Sequence, residues 1–301
     1  MSIAITGSTG NYGSRLIKSL SSLVPPADII AITRDISPGK VNDLAPGVQL
    51  RQADFGDSAA LSSAFGGVKI ALIVSVDKVG PEAVALHKAA IDAAVHAGVP
   101  KVFYTSHQNA SASSLFAAAR DHHETERYLA QSGVDFTSLR NGSYQSSLRF
   151  MITGVERTSV IDKPADGKVS WTSNDDLADA GAILLARALK GEEVAKYVTL
   201  ASTENADMAD IARLVGTALI QDVRRTVMDD QAFVEATEAH GVPRFLAEMF
   251  LSMFQEARRG GFQSDDKTLE DVLGRKPKGV DVFLRDTYGK AQAVAGSPGL
   301  A

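Results

Sequence analysis

The fold is decided near the start of the chain, by the stretch Thr6-Gly7-Ser8-Thr9-Gly10-Asn11-Tyr12-Gly13. It follows the apolar run Ile3 to Thr6 and precedes the amphipathic run Ser14 to Leu20, so that a strand, a glycine turn and a helix come in succession. In this order, the first glycine permits a sharp turn, the second lets the backbone approach a pyrophosphate, and the third lets the helix pack on the strand. The N–H groups at the start of the helix then face the phosphates. The stretch therefore predicts a Rossmann-type dinucleotide site built from Gly7, Thr9, Gly10, Asn11, Tyr12 and Gly13.

The end of the second predicted strand indicates which dinucleotide is bound. An acidic side chain about twenty residues after the glycine turn holds the ribose 2′-hydroxyl of NAD. Here the sequence reads Thr33-Arg34-Asp35, and the Arg34 guanidinium can make forked, charge-assisted hydrogen bonds to a 2′-phosphate. We therefore expect NADP(H). Asp35 leaves NAD open, because a small rotation of this turn would present its carboxylate to the ribose.

The third predicted strand ends in Asp54 and Phe55, which we expect to border the adenine. An alternative for Asp54 is a helix N-cap, because a helical pattern starts near Gly56 or Asp57.

The first half of the chain alternates short β-branched runs with amphipathic or alanine-rich ones, as βαβ units do. We expect each strand to be covered on both faces. The predicted strands are Ile3 to Thr6, Ile29 to Thr33, Val48 to Ala53, Ile70 to Val74, Val102 to Thr105 and Asp135 to Arg140. The predicted helices are Tyr12 to Leu23, Ser58 to Phe65, Pro81 to Ala97 and Ala117 to Gln131.

Beyond about residue 150 the alternation loosens. Extensions of the same sheet and its covering helices are predicted at Val160 to Trp171, Asp175 to Leu189, Lys196 to Leu200 and Ala206 to Leu219. The remainder reads as mostly helical, with a loose tail after Tyr288. We therefore expect an α/β fold, a doubly wound parallel sheet with a smaller carboxyl-terminal substrate lobe. Its dinucleotide-binding domain would span 1–150, interleaved with a sheet extension and helical lobe at 151–301.

Composition excludes several classes of function. The 301 residues include 45% hydrophobic and 22% charged, which is ordinary for a globular protein. A net charge of −5 without a basic stripe disfavours direct nucleic-acid binding. The chain contains no cysteine, and no cluster of histidines and carboxylates has metal-ligand spacing, so we expect no metal. No leader pattern and no apolar run of membrane-span length are visible, so we expect a cytoplasmic protein without membrane contact.

Several motifs together resemble one family. They are Ile5 to Gly10, Arg51 to Asp57, Tyr104-Thr105-Ser106, His122 to Leu129, Ser138 to Tyr144 and Ser264 to Leu269. On these stretches the chain is similar to the NmrA-like, atypical short-chain dehydrogenases/reductases. Within that group it resembles the type-2 NADPH quinone oxidoreductases and triphenylmethane reductase. The resemblance implies that the glycine turn, Arg34, Asp54, Phe55, Ser75, Thr105 and the turn Asn141-Gly142-Tyr144 lie along the cofactor.

Typical short-chain dehydrogenases use a tyrosine and a lysine four residues later, and no tyrosine here has that partner. Related families place a lysine where this sequence has His122. His122 and Glu126 lie one helical turn apart, so they share a helix face. Two interpretations stay open: an ordinary solvated face, like that expected of Asp121, Glu124 and Arg127, or a catalytic His122 that orients the nicotinamide ribose or donates a proton near neutral pH. The other histidines, including His87 and His107, lack a comparable context.

Two functions suit these features. The first is an NADPH-dependent reductase that transfers hydride to a quinone or a similar conjugated acceptor, whose reduced anion is stabilised by its own ring. Such a reaction depends on positioning more than on a general acid. Tyr144 would then close the nicotinamide pocket, and Phe150, Met249, Phe250 and Phe254 would form the substrate wall. The second is a non-catalytic NADP(H) sensor, which needs the same glycine turn but no substrate pocket. A homodimer is compatible with either function.

Overall fold

The computed structural model describes residues 2–42 and 44–289. In chain order, its strands are β1 (Ile3–Ile5), β2 (Ile29–Thr33), β3 (Gln49–Gln52), β4 (Ile70–Ile73), β5 (Lys101–His107), β6 (Asp135–Asn141), β7 (Ser143–Tyr144), β8 (Val160–Pro164), β9 (Trp171–Thr172), β10 (Tyr197–Leu200) and β11 (Arg224–Met228).

The helices lie between and after these strands. They are α1 (Asn11–Leu20), α2 (Pro38–Val41), α3 (Ser58–Phe65), α4 (Pro81–His96), α5 (Ala117–Gln131), α6 (Ser147–Met151), α7 (Val155–Thr158), α8 (Asn174–Leu189), α9 (Met208–Leu219), α10 (Asp230–Ala239), α11 (Arg244–Arg258), α12 (Thr268–Leu273) and α13 (Val280–Tyr288). A short 3₁₀ helix spans Pro26–Asp28. The predicted loose tail lies outside the described residues from Lys290 onward.

The chain forms two compact units. The first comprises the chain up to Asn141 together with Asn174–Leu200 and Thr268–Arg275. The second comprises Gly142–Ser173, Ala201–Lys267 and the chain from Lys276. The predicted division at residue 150 stays a prediction about functional domains.

The first unit is built on a parallel sheet whose seven described strands run in the order β10-β6-β5-β4-β1-β2-β3. Ile3 pairs with Ile29 on one side and with Ile70 on the other, so β1 lies between β2 and β4. The strand order reverses between β1 and β4, and the crevice at such a switch point is where doubly wound folds bind ligands. The predicted α/β, Rossmann-type fold is confirmed.

The inner strands of the sheet, rich in β-branched residues, are buried. Every residue of β1, β2 and β4 is buried, because helices cover both faces of a parallel sheet. Strand β3 is different: Gln49, Leu50 and Gln52 are exposed at the sheet edge. The expectation that every predicted strand is covered on both faces is wrong for this one, and its polar residues explain why.

The second unit has two small parallel sheets of its own, β7 with β9 and β8 with β11. The predicted extension of the main sheet is therefore right for Tyr197–Leu200 and wrong for Val160 to Trp171, which contributes β8 and β9 to these small sheets. Helix α9 packs on β8, β11 and α13 in the second unit instead of covering the main sheet. Strand β11 was not predicted, because it carries two arginines and is largely exposed.

Among the described residues, no helix is both long enough and apolar enough to cross a membrane.

Candidate dinucleotide and catalytic site

The glycine turn after β1 leaves room for a phosphate. Gly7 adopts φ +59°, which L side chains rarely allow. A Cβ on Gly13 would lie 2.3 Å from the Gly7 carbonyl oxygen, so this position needs glycine for backbone packing. A Cβ on Gly10 would meet only that same oxygen, at 3.2 Å. The turn itself therefore needs Gly7 and Gly13 more than Gly10, whose open side is the space that a pyrophosphate would use.

The start of α1 suits an anion. Gly10 is its N-cap and provides no side-chain hydrogen bond to the first turn, which contains no acidic residue. The backbone N–H groups of this first turn and the positive end of the helix dipole can then serve a phosphate. Tyr12 is buried, and its hydroxyl donates to the Leu177 carbonyl at 3.4 Å. Its predicted role in binding is therefore restricted to its backbone, while Thr9 and Asn11 are exposed beside the turn.

Arg34 and Asp35 differ in availability at the end of β2. The Arg34 side chain is 81% exposed, and its Nε lies 3.7 Å from an Asp54 carboxylate oxygen. Asp35 instead accepts a hydrogen bond of 2.8 Å from the Ser37 backbone N–H. That bond lowers the pKa of the Asp35 carboxyl. Both residues are exposed, but only the Asp35 carboxylate already accepts a hydrogen bond from its own turn, whereas the Arg34 guanidinium has no partner closer than 3.7 Å among the described residues.

Asp54 does not cap the following helix. Asp57 is the N-cap of α3 and accepts from the Ala60 N–H at 2.9 Å, whereas Asp54 accepts from the Gly56 N–H at 2.8 Å within its own turn. The alternative that Asp54 is an N-cap is therefore wrong. Phe55 packs partly buried against the hydrophobic core. A role for both residues at the adenine stays a prediction.

Ser75 and Thr105 meet at the carboxyl ends of β4 and β5. The Ser75 backbone N–H donates to Thr105 Oγ1 at 2.8 Å, and the Thr105 hydroxyl donates to Ser75 Oγ at 3.1 Å. Both predicted cofactor residues therefore lie at the same edge of the sheet as the glycine turn, where a dinucleotide would extend from its phosphates.

His122, on α5, belongs to a cluster of aromatic rings beside this edge. Its Nδ1 lies 2.7 Å from the Tyr104 hydroxyl. Its ring is stacked with that of His87 at a centroid distance of 6.3 Å and with that of His107 at 6.4 Å. The expectation that His87 and His107 lack a context comparable to that of His122 is wrong in structural terms, because both rings contact the His122 ring.

All three imidazoles are disfavoured as cations. Burial lowers the pKa of His87 and of His107 to about 4. Burial, together with the neighbouring His107 and His87, lowers the pKa of His122 well below its ordinary value. Within residues 2–42 and 44–289, no group of histidines and carboxylates could hold a metal ion.

Glu126 does not accompany His122 in this cluster. Its buried carboxylate binds Arg140 at 2.6 Å and 2.9 Å and also accepts from Ser106 and Ser138. Asp121, expected on a solvated face, accepts from the Gly80 N–H at 2.6 Å. The solvated-face interpretation of this helix is thus wrong for Glu126 and Asp121, and it fits the exposed pair of Glu124 and Arg127.

In the first unit, Asn141 ends β6, is buried, and accepts from the Gln108 N–H at 2.9 Å through its carbonyl. In the second unit, Gly142 is packed so closely that a Cβ would lie 2.3 Å from Thr172 Oγ1. Tyr144, in β7, is half-buried. Their roles at the cofactor stay predictions.

The predicted substrate-wall residues of the second unit fall into two groups. The rings of Phe150 and Phe250 are tilted, 5.3 Å apart, with Phe150 60% exposed, and Met249 is half-buried nearby in sequence. Phe254 is buried and contacts the Phe233 ring edge-on at 5.4 Å. Phe150 is thus exposed while Met249 and Phe250 are half-buried, whereas Phe254 supports the interior of its unit. A role for these residues at the substrate stays a prediction.

Sequence reasoning missed the ring cluster, although a signal for it exists. Residues Ala83, His87, Ala90, Ile91 and Ala94 follow helical spacing and form the buried face of α4. A histidine on such a face must find buried hydrogen-bond partners, and this alone distinguishes His87 from the exposed His96.

Comparison with known proteins assigns the family. The model of the NmrA-like family matches residues 1–283. The chain belongs to the NmrA-like family. One relative, quinone oxidoreductase 2 of Escherichia coli, is 37% identical over 90% of this chain and 93% of its own length. The NAD(P)H azoreductase of Xenophilus azovorans is 25% identical over 94% of this chain and 96% of its own length.

Solved structures share the fold of this chain. The crystal structure of the NADPH-dependent quinone oxidoreductase of Escherichia coli complexed with NADPH superposes with a TM-score of 0.86 at 33% identity, covering 95% of this chain and 99% of that one. NmrA itself, a negative transcriptional regulator, superposes with a TM-score of 0.73 at 16% identity, covering 99% of this chain and 98% of that one. At that identity the likeness to the regulator extends to the fold alone.

Proposed function

We propose that this protein is an NADPH-dependent reductase of quinones or similar conjugated acceptors. The observation that carries the proposal is the 37% identity with quinone oxidoreductase 2 along nearly the whole of both chains. The NmrA structures, one of them described as a negative transcriptional regulator, share only 18% and 16% identity with this chain, which supports the reductase over the regulator.

The described residues suit NADPH on physical grounds. The open side of Gly10 and the uncapped start of α1 suit the pyrophosphate, and the exposed Arg34 suits the 2′-phosphate. Asp35 already accepts a hydrogen bond from the Ser37 N–H, which favours Arg34 as the partner of the ribose substituent. When bound, the cofactor supplies a hydride. The protein has to hold the nicotinamide against the acceptor and exclude water, which is catalysis by proximity and orientation.

The chemistry does not require a cationic acid. A reduced quinone spreads its negative charge over its own ring, so the proton can arrive from water afterwards. The three neutral imidazoles fit this requirement, because each resists protonation near neutral pH. For the acceptor, we propose that Tyr144, Phe150, Met249 and Phe250 form an apolar wall, since flat conjugated rings stack on aromatic side chains.

The decisive experiment follows NADPH absorbance when acceptors are added to the purified protein. The panel contains a simple benzoquinone, a naphthoquinone and an azo dye, because one relative is an azoreductase. We expect consumption of NADPH with at least one quinone. Tight NADPH binding without turnover of any acceptor would contradict the reductase proposal and favour a cofactor sensor.

The proposed wall is tested by substitution of Tyr144. We expect Tyr144→Ala to lower turnover of a quinone more than His122→Ala does, because it opens the pocket to water. Tyr128→Ala is a matched control, since this tyrosine lies on α5 and donates to Asp92 at the surface. A collapse of several orders of magnitude in His122→Ala, with Tyr144→Ala near normal, would reverse the two roles. A cytoplasmic location and a homodimer stay predictions from the sequence.

A further inference from the structure

A chain of hydrogen bonds leads from the backbone to His122. The Val76 backbone N–H donates to His87 Nε2 at 3.0 Å. His87 Nδ1 lies 3.1 Å from Thr125 Oγ1 and 3.3 Å from the Tyr104 hydroxyl. The Tyr104 hydroxyl in turn lies 2.7 Å from His122 Nδ1. All five groups belong to the first unit, beside the carboxyl ends of β4 and β5.

The hydrogen bond from the Val76 N–H determines which nitrogen of His87 carries the hydrogen. A backbone amide always donates, so His87 Nε2 must be the acceptor and, in a neutral imidazole, the hydrogen must sit on Nδ1. The Thr125 hydroxyl donates to the Asp121 carbonyl at 2.9 Å, so its oxygen can accept from His87 Nδ1. His87 is 2% exposed, which prevents water from offering an alternative arrangement.

The direction of the next link follows from the first. Because His87 Nδ1 carries a hydrogen, it cannot accept from the Tyr104 hydroxyl, and Tyr104 donates its hydrogen to His122 Nδ1 instead. Tyr104 is fully buried, and 2.7 Å is a short distance for an O–H donor to an imidazole nitrogen. An accepting Nδ1 leaves the hydrogen of His122 on Nε2.

We propose that the Val76 amide, His87 and Tyr104 form a directional hydrogen-bond chain that holds His122 in the neutral tautomer with its hydrogen on Nε2. His122 then acts as a hydrogen-bond donor through Nε2, and it does not act as an imidazolium acid. His87 and Tyr104 are positioning residues, since they act only through His122.

The charged and titratable groups around His122 are compatible with this state. His87 faces it from α4, and Tyr104 and His107 face it from β5. His107 Nδ1 accepts from the Asn109 N–H at 3.1 Å, so this ring is also neutral with its hydrogen on Nε2. On α5 itself, the Asp121 carboxylate is bound to the Gly80 N–H and that of Glu126 to Arg140. Neither carboxylate is among the causes that shift the pKa of His122.

The consequence for catalysis rests on the proposed function. During reduction, the acceptor gains a hydride, with two electrons, from the bound cofactor, and charge builds up on a carbonyl oxygen of the acceptor. The Nε2–H of His122 would donate to that oxygen and keep its hydrogen, while the proton that completes the hydroquinone comes from water. Such donors stabilise charge in the transition state without any proton transfer from the protein.

The tautomer is tested directly by nitrogen-15 NMR of the imidazoles in the full-length protein, over the pH range from about 5 to 8. We expect His122 to show a protonated Nε2 and an unprotonated Nδ1, with no titration in this range. Tyr104→Phe removes the donor to Nδ1 and should yield a mixture of tautomers, whereas the control Tyr128→Phe should not. A hydrogen on Nδ1 of His122, titration near pH 6.5, or an unchanged tautomer in Tyr104→Phe would overturn the proposal.

Turnover separates a hydrogen-bond donor from an acid. The amide nitrogen of glutamine can replace Nε2–H, so His122→Gln should keep activity within about threefold, with a pH profile like that of the unmodified protein. His122→Leu should lose about tenfold in kcat, the usual effect of one hydrogen bond, while His123→Leu serves as the control. A loss beyond about a hundredfold in both His122 variants would indicate an acid and overturn the proposal. If no acceptor is reduced but the NMR result holds, the proposed function fails and the tautomer assignment stands.

Discussion

Arg34 is 81% exposed, and it has only a distant carboxylate neighbour in Asp54, with Nε and oxygen 3.7 Å apart. An exposed pair of this kind contributes little to stability. A 2′-phosphate would give the guanidinium a stronger partner through two parallel hydrogen bonds. The residue therefore matters for the choice between NADPH and NADH and little for folding.

We predict that Arg34→Ala erases at least about tenfold of the preference for NADPH over NADH, because a hydrogen bond to a charged group is worth about 1.5–3 kcal/mol. Affinities for both cofactors are measured by calorimetric titration, with Arg127→Ala as the control for loss of one exposed arginine. Arg34→Lys should keep part of the preference, since it keeps the charge and loses the fork. Equal affinities for the two cofactors in the unmodified protein would contradict this assignment.

At the level of elements, the turn from β1 to α1 separates the need for glycine in folding from the need for glycine in binding. The backbone of Gly10 has φ −78°, which any L-residue can adopt, and a Cβ there meets one atom at 3.2 Å. At Gly13, a Cβ would lie 2.3 Å from one backbone atom and 2.9 Å from another.

We predict that Gly10→Ala keeps a melting temperature near that of the unmodified protein and weakens NADPH binding by at least about tenfold, because the methyl group occupies the space of the pyrophosphate. Gly13→Ala should instead lower the melting temperature, since the turn itself must shift. Thermal melts and calorimetric titration on both variants check the contrast. Unchanged NADPH affinity in Gly10→Ala would mean that Gly10 only links β1 to α1 and does not provide space for the pyrophosphate.

Helix α5 is tied to β5 and β6 by Glu126, whose side chain is buried with Arg140. Removal of one partner from a buried ion pair typically costs about 3–5 kcal/mol, because the other charge is left without compensation. We predict a loss toward the lower end for Glu126→Ala, since Arg140 is 28% exposed. Urea unfolding measures this loss in the free energy of unfolding, and Glu124→Ala, at an exposed position of the same helix, is the control. A loss below about 1 kcal/mol would show that the remaining arginine is solvated in the variant.

Local patterns predicted the elements best where one physical rule dominates. Ser58–Phe65 and Ala117–Gln131 form helices with the predicted bounds, and Ile29–Thr33 forms the predicted strand. The small sheets of the second unit were missed, because pairing between β8 and β11 depends on contacts 64 positions apart, as between Val160 and Arg224. A short, exposed strand with two arginines, such as β11, shows no alternation of apolar and polar residues by which the sequence could identify it as a strand.

The candidate site follows the same rule. The glycine turn and Arg34 can be proposed from the sequence alone, because backbone space and charge act locally. The link between His87, Tyr104 and His122 cannot, since three separate elements bring these rings together. Only helix spacing, which buries His87, indicated that this residue has a partner.

For the whole molecule, the buried histidines couple stability to pH. His87 and His107 have pKa values of about 4 in the folded protein and about 6.5 when unfolded. Between these values the unfolded chain binds more protons, so the free energy of unfolding rises with pH and is fully developed above about pH 6.5. Asp121 has the opposite effect on the free energy of unfolding at lower pH, because burial raises the pKa of its carboxyl.

We predict that the free energy of unfolding falls by about 2 kcal/mol between about pH 7 and pH 5 on account of His87 alone, and by a similar amount on account of His107, because burial lowers the pKa of each to about 4. In this window most carboxyl groups stay ionised, so the histidines dominate the change.

Urea unfolding at several pH values measures the slope of the free energy of unfolding against pH. His87→Gln should flatten it, although the variant is less stable at every pH, whereas His96→Gln, at an exposed position of the same helix, should leave it unchanged. An equal slope in His87→Gln would mean that this imidazole accepts a proton in the folded protein as readily as in the unfolded chain. The Val76 amide would then not hold its Nε2, and the chain of hydrogen bonds to His122 would lose its first link.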